Sequence, residues 1–241
     1  MMMLMMKIMQ LMMPFSLFWV VVVVDYENVD DDEDDFQIDC KEILELDRSA
    51  ISGFYEIRLR NSEKTNSEKK QVYCDMKTDG GGWTVFQNRF DGSVDFAKTK
   101  LKLYEDGFGD VNGEYWLGLR YIQELTESPT EFWYSISVTS GETAHEKYDR
   151  FELVGKTYRL SIDVQPVEKS GLANTGMVFG SLDATEFGVY DPAMNGACGG
   201  WWGFGYNCIM LNFNKGYNEA EWYYNAVKSK LNTSRMMLRR K

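Results

Sequence analysis

Any acid–base device in this chain would have to be built on its one histidine, His145 in "GETAHEKYDR". Ser–His–Asp and Cys–His nucleophiles both route the proton through an imidazole. No Gly-x-Ser-x-Gly turn accompanies it, and "GFGDVNG" does not open a helix after a strand as a phosphate loop does. Carboxylate pairs of the glycosidase kind are defined by spatial distance, and acidic residues are too frequent here for chance pairs to signal anything. The reading is therefore non-enzymatic, with His145 a surface or strand-edge residue. Binding chemistry is better represented. In "CGGWWGFGYNC", residues 198 to 208, two adjacent tryptophans and two further aromatics lie among four glycines between two cysteines. The four cysteines Cys40, Cys74, Cys198 and Cys208 allow three pairings, and their even number suits an oxidising compartment. Asn232 in "NTS" is an Asn-x-Ser/Thr acceptor for a glycan, although "LNTSRMML" also alternates like a strand.

The elements that must position these groups are mixed. "CKEILELDR" has helical spacing. "GFYEIRLR" alternates, with Tyr55, Ile57 and Leu59 on one face, and predicts a strand. "NSEKTNSEKK" reads as a polar loop, "QVYCDMKT" as a strand and "DGGG" as a turn. "EFWYSISV" and "TYRLSIDV" are further strands, while "AKTKLKLYEDGFG" and "EYWLGLRYIQELT" read as short helices. No regular strand–helix alternation of a doubly wound sheet is present, so the class is α+β.

The chain has 241 residues and a net charge of −11, unevenly placed. Residues 25–39 hold nine acidic and no basic residues, and read as a solvated linker ending at 38. Residues 40–241 keep 25 basic against 28 acidic residues, so the folded part is nearly neutral. Nothing tracks a phosphate backbone, which excludes nucleic acid as a partner. Residues 1–24 carry Lys7 and then an apolar run, which reads as a signal peptide, with an uncleaved anchor as the alternative. Either way residues 39–241 form the domain, placed outside the cell.

At "VYCDMKTDGGGWTVFQNRFDGSVDF", "GFGDVNGEYWLGLRYIQELT" and the closing "SRMMLRRK", the chain resembles the fibrinogen-related domain of fibrinogen C-terminal regions, ficolins, tachylectins and angiopoietins. The resemblance implies a small N-terminal disulfide-linked unit and a central twisted, mainly antiparallel sheet flanked by short helices. It further implies a loop-rich C-terminal ligand-binding region, and the pairs Cys40–Cys74 and Cys198–Cys208. Beside it stands the residue reading: Gly80–Gly82 turn the chain with positive φ, and Trp83, Phe86, Tyr115 and Trp116 belong to the core.

The family's calcium site implies Asp183 and Thr185 as side-chain ligands and Phe187 and Val189 as carbonyl donors. Thr185 stands where a second carboxylate is expected, so calcium should bind weakly or not at all. The acetyl-sugar pocket of ficolin-like members lies beside the fourth cysteine. Here Ile209 occupies that pocket's His position, next to Tyr206, Asn207 and Cys208. Tyr217, Trp222, Tyr223 and Tyr224 supply apolar wall and Asn212 a polar handle, while Trp201 and Trp202 pack the loop onto the sheet. The resemblance implies a secreted lectin-like recognition protein of innate immunity. The alternative is a protein-binding adhesion or receptor-ligand module with a vestigial sugar pocket. The partner is a cell-surface glycan or a protein, and no coiled coil or collagen tract encodes oligomerisation.

Overall fold

The computed structural model describes residues 38–59, 68–171, 179–189, 200–202, 212–215, 221–224 and 227–241, with the backbone alone at 221–224 and 227–228. The expected signal peptide and most of the acidic linker lie outside these residues. Helix α1 (Cys40–Leu46) starts at Asp39, whose Oδ1 accepts from Glu42 N at 2.8 Å while Glu42 Oε2 accepts from Ile38 N at 2.7 Å. Asp-x-x-Glu before an apolar run encodes such a start, with Glu42 here reaching one residue past the cap. Strands β1 (Gly53–Leu59) and β2 (Glu68–Asp75) pair antiparallel, Gly53 opposite Cys74 and Leu59 opposite Glu68. Alternation in β1 buries Ile57 and Leu59 as its pattern requires. The polar loop expected up to Lys70 ends earlier, because Glu68–Lys70 are drawn into β2 by this pairing.

Cys40 and Cys74 are joined, with Cα atoms 5.5 Å apart. The linkage ties α1 to β2, and both sulfurs lie in fully buried residues. The turn before β3 (Trp83–Arg89) has φ of 84°, 81° and 76° at Gly80, Gly81 and Gly82.

Helix α2 (Leu101–Asp106) leads into two short strands, β4 (Phe108–Gly109) and β5 (Tyr115–Trp116), and then α3 (Leu119–Leu125). Tyr115 and Trp116, expected in a helix, are instead a strand added to β3. Gly118 separates strand from helix at φ +120°, where a Cβ would lie 2.7 Å from the Tyr121 ring and 2.8 Å from Glu105 O. Next come β6 (Thr130–Val138), β7 (Thr143–Tyr148), β8 (Phe151–Val154), β9 (Arg159–Ile162) and β10 (Glu168–Gly171). The later elements are a 3-10 turn at Phe179–Leu182, β11 (Phe187–Gly188), β12 (Trp201–Trp202), β13 (Glu221–Tyr224) and β14 (Val227–Arg240).

The central sheet runs β1-β2-β3-β14-β6-β7-β10, with β13 on β14 and the β4–β5 pair on β3, and every pairing is antiparallel. The last strand in sequence therefore sits at the centre. With α1–α3 around this sheet the architecture is the expected α+β. One face of β6 (Phe132, Tyr134, Ile136, Val138) is buried with Phe86, Phe151 and Phe179 in an aromatic core, where Phe132 lies 4.7 Å from Phe151 and 4.8 Å from Phe179. Trp83, Phe86, Tyr115 and Trp116 are all core residues.

Candidate functional site

Trp201 and Trp202 have no exposed surface. As β12 they pair with β11, Phe187 opposite Trp202 and Gly188 opposite Trp201. Trp202 lies 5.1 Å from Phe187 and 6.1 Å from Trp116, and its Nε1 donates to Tyr158 O at 3.0 Å. Trp201 packs on Phe213 at 5.3 Å and Phe179 at 5.6 Å. Two rings of this size buried together supply a large apolar contribution. The approach is so close that Gly200 admits no side chain: at φ +66° its Cβ would fall 1.9 Å from the Tyr104 ring. Trp201 and Trp202 are thus core residues, as the resemblance implied.

Polar groups beneath these tryptophans form a buried ladder. Ser234 Oγ donates to Gln87 Oε1 at 3.1 Å, Gln87 Nε2 to Asn214 Oδ1 at 3.0 Å, and Asn214 Nδ2 to Gly200 O at 2.8 Å. Arg89 donates to the carbonyl oxygens of Phe213 and, at 2.7 Å, Lys215, with its guanidinium 4.4 Å from the Phe96 ring centre. The central strands β3 and β14 thus hold the segment 212–215 and, through it, Gly200. Each of these side chains is buried, so each bond must be made in the fold. Asn212, expected as a polar handle for ligand, belongs to this internal set: it is 2% exposed and its Oδ1 accepts from Asn214 N at 2.8 Å. Gln87 and Arg89 were not singled out in the sequence. Their signal is present in hindsight, as polar residues on a strand in which Trp83, Val85 and Phe86 are buried.

Of the other expected pocket residues, Tyr206, Asn207, Cys208, Ile209 and Tyr217 lie outside the described residues, as does the Cys198–Cys208 pair. Trp222 falls in β13, opposite Ser229, and its side chain is outside the description, as are those of Tyr223 and Tyr224.

The expected calcium residues follow the 3-10 turn. Asp183 Oδ1 accepts from Ile162 N at 2.9 Å. Thr185 Oγ1 donates to Leu182 O at 2.6 Å, and its own carbonyl accepts from Leu160 N at 2.8 Å. Phe187 and Val189 lie in and just beyond β11. This donor set contains one carboxylate, with one oxygen already bonded inside the fold. It fits a hard cation that takes six to eight oxygens poorly. Among the described residues no group of three or more His, Cys, Asp and Glu side chains comes together as a metal cage.

His145 is a partly exposed residue, as expected, but not on the sheet edge. It is half-buried on β7, between β6 and β10, with its ring stacked 4.4 Å from Trp133 at 17°. Nδ1 lies 2.7 Å from Ser170 Oγ and Nε2 3.2 Å from Glu168 Oε1. The correction follows from β10, a strand not read from the sequence, which pairs with β7 and covers that edge. Asn232 falls in β14 at the register shift between Leu231 and Thr233, and its side chain is exposed.

Residues 36–236 match the family of fibrinogen beta and gamma chains, C-terminal globular domain. Bos taurus angiopoietin-4 is 34% identical over 221 residues, 83% of this chain and 42% of that protein. Mus musculus angiopoietin-2 is 33% identical over 204 residues, 77% of this chain and 39% of its own length. The chain thus spans about two fifths of the length of these angiopoietins. The fibrinogen-like globe domain of human ANGPTL2 superposes with a TM-score of 0.69 at 29% identity, covering 85% of this chain and 99% of that one. That of human ANGPTL6 does so with 0.69 at 28%, covering 85% and 96%.

Proposed function

The chain belongs to the family of the fibrinogen beta and gamma C-terminal globular domain, and on that premise we propose that it is a secreted, non-enzymatic recognition module whose ligand is a protein. The observation that carries this reading is the inward commitment of Asn212 beneath the packed tryptophans. Trp201 and Trp202 are taken up by packing, and Asn212 by an internal hydrogen bond that leaves it unable to act as the polar handle of a sugar pocket. Similarity to the angiopoietins and to the ANGPTL globe domains supports the same choice over a lectin of innate immunity. Secretion fits the buried disulfide. It also fits the described residues having no helix long and apolar enough to cross a membrane.

In this proposal the ligand contacts fall to Tyr206, Asn207, Cys208, Ile209, Tyr217 and Trp222. Ile209, in place of a histidine, favours an apolar protein contact over a hydrogen-bonded sugar. Calcium is dispensable, because the only carboxylate of the expected set is Asp183.

The test is binding of the full-length secreted chain to intact cells and to a glycan array, each with and without a chelator. Cell binding that surface proteolysis abolishes, and that a chelator and glycosidases leave intact, is the expected result. Substituting Ile209→Arg should remove that binding. Saturable binding to acetylated sugars on the array, lost with the chelator, would overturn the reading.

A further inference from the structure

Beyond the loops, the outward face of the central sheet carries a recess of about 370 Å³. Its floor is set by register. On β6 the residues that alternate with the buried set are Trp133, Ser135 and Ser137. Ser135 stands between Arg235 of β14 and His145 of β7, and Ser137 between Thr233 and Thr143. One row of short side chains, Thr233–Ser137–Thr143, therefore crosses three strands, and Ser135 adds a gap between Arg235 and His145. The Trp133–His145 stack bounds the recess on one side and Asp75 and Thr78 on another. Serine is a poor choice for the middle of a long central strand if only the sheet is served. The recess exists because Ser135 and Ser137 are small, with Arg235, His145 and Trp133 standing around them.

The recess holds one charge of each sign, Asp75 and Arg235. Burial pushes the Asp75 carboxyl up, but the hydrogen bonds of its turn, helped by the Arg235 guanidinium, hold it below its ordinary range. Asp75 Oδ1 accepts from Lys77 N and Thr78 N, both at 2.9 Å, and Oδ2 accepts from Thr78 Oγ1 at 2.7 Å, so its oxygens are turned to its own turn and make no direct ion pair with Arg235. Arg235 donates through Nε to Asn88 Oδ1 at 3.2 Å, a neutral partner, and its guanidinium lies 5.4 Å from the Tyr73 ring centre. Among the described residues its two Nη groups have no hydrogen-bond or ion-pair partner. A guanidinium held at Nε with both Nη groups open is set for a bidentate anion. Arg235 also borders a second recess of about 150 Å³, whose wall includes Tyr73 and Phe54, the latter 45% exposed. The guanidinium thus joins a hydroxyl-lined hollow to an aromatic one.

The geometry points to this face as a binding site for an acidic saccharide. A ring carboxylate pairs with the Nη groups of Arg235. The ring hydroxyls exchange hydrogen bonds with Ser135 and with the Ser137–Thr233 pair. The oxygens of that pair lie 2.7 Å apart and keep one proton and free lone pairs for a ligand. A following ring lies against Tyr73 and Phe54. Each hydroxyl of the floor both donates and accepts, which suits a polyol better than an apolar side chain. None of these residues is used by the protein-binding proposal, so the two stand or fall separately.

The experiment is an NMR titration of the full chain with D-glucuronate, with D-glucose and N-acetylglutamate amide as companions. Glucuronate should give saturable shifts at the amides of Ser135, His145 and Thr233. Arg235→Gln should weaken it at least about tenfold, as expected for one charged hydrogen-bonding partner, without changing the melting temperature. Ser135→Val, a change that keeps Arg235 and favours the strand, should weaken glucuronate severalfold, and guards against an Arg235 variant that folds poorly. Glucose should bind at least about tenfold more weakly than glucuronate. Absence of saturable shifts, equal binding by Arg235→Gln, or equal binding of glucose would overturn the site. Equal binding of N-acetylglutamate amide would overturn the saccharide assignment in favour of an acidic protein side chain.

Discussion

A single carboxylate, Glu114, shows how much one side chain organises here. It is 1% exposed, and its Oε1 accepts from the backbone N–H groups of Phe90, Asp91 and Gly92 at 2.6, 2.8 and 2.9 Å. Its Oε2 accepts from Val94 N at 3.1 Å. Four amide donors of the loop after β3 thus end on one side chain, replacing the partners that a strand or helix would supply. Buried donors without an acceptor cost free energy, and charged acceptors are the stronger kind. Substituting Glu114→Ala should lower unfolding stability by about 3 kcal/mol or more, and Glu114→Gln by about 1.5 kcal/mol, since one oxygen remains. Chemical denaturation checks both, and a Glu114→Ala variant as stable as the parent would show the loop to be held by other contacts. Nothing in "GDVNGEYW" distinguishes this glutamate from a solvated one. Its role was illegible because the four amides it satisfies lie 20 to 24 residues upstream.

At the scale of elements, β7 illustrates how a sheet holds the 3-10 turn beside it. Glu146 faces the core with no exposed surface. Its Oε2 accepts from Tyr148 Oη and, at 3.0 Å, from Phe179 N, while Gly180 N donates to Tyr148 Oη at 3.0 Å. The turn that precedes Asp183 is thus hung from β7 through a carboxylate and a phenol. Burial pushes the Glu146 carboxyl above its ordinary range, and its hydrogen bonds to Tyr148 and Phe179 only partly oppose this. A raised carboxyl means that the folded state binds the proton more tightly than the unfolded chain does. Its stabilising contribution is complete below the unfolded value of 4.5 and is lost as pH rises through the folded one. Relative to Glu146→Gln, the parent should therefore gain stability as pH falls from neutral toward 4.5. The glutamine keeps an acceptor for Phe179 N and removes the titration. Parallel thermal melts of the two proteins across that window provide the measurement. A stability difference that does not change with pH would remove the buried ionisation from the account.

Across the whole domain, much of the plan was legible and the rest was hidden for identifiable reasons. Strands whose side chains alternate, such as β1 and the strand ending at Arg240, announce their buried face. The glycines before Trp83 announce their turn. Tyr115 and Trp116 misled because their spacing to Leu119 and Ile122 also fits a helix, and only the backbone at Gly118 divides them. The sheet recess was invisible, since it joins residues near 75, 135, 145 and 235 through pairings that no local pattern encodes. The ends of the described domain are closed in a way that local patterns reveal only in part. Asp39 caps α1 with Oδ1 and takes Arg240 Nε on Oδ2 at 2.9 Å, while Lys241 N donates to Pro129 O at 2.9 Å. Cys40, the next residue, bonds Cys74 across 34 positions and donates its N–H to Thr84 Oγ1 at 3.1 Å. The disulfide, the cap and the ion pair therefore converge where the start of the domain meets its last strand. Cross-linking a loop of this length removes unfolded-state entropy on the order of 4 kcal/mol. Replacing Cys40→Ala together with Cys74→Ala should accordingly lower the melting temperature by about 10 °C for a domain of this size. Amides of α1 and β2 should lose hydrogen-exchange protection before those of β6 and β14, whose pairing does not depend on the linkage. A double variant that melts with the parent, or that opens at β6 first, would show that packing at the sheet centre, rather than the covalent tie, holds the two ends of the domain together.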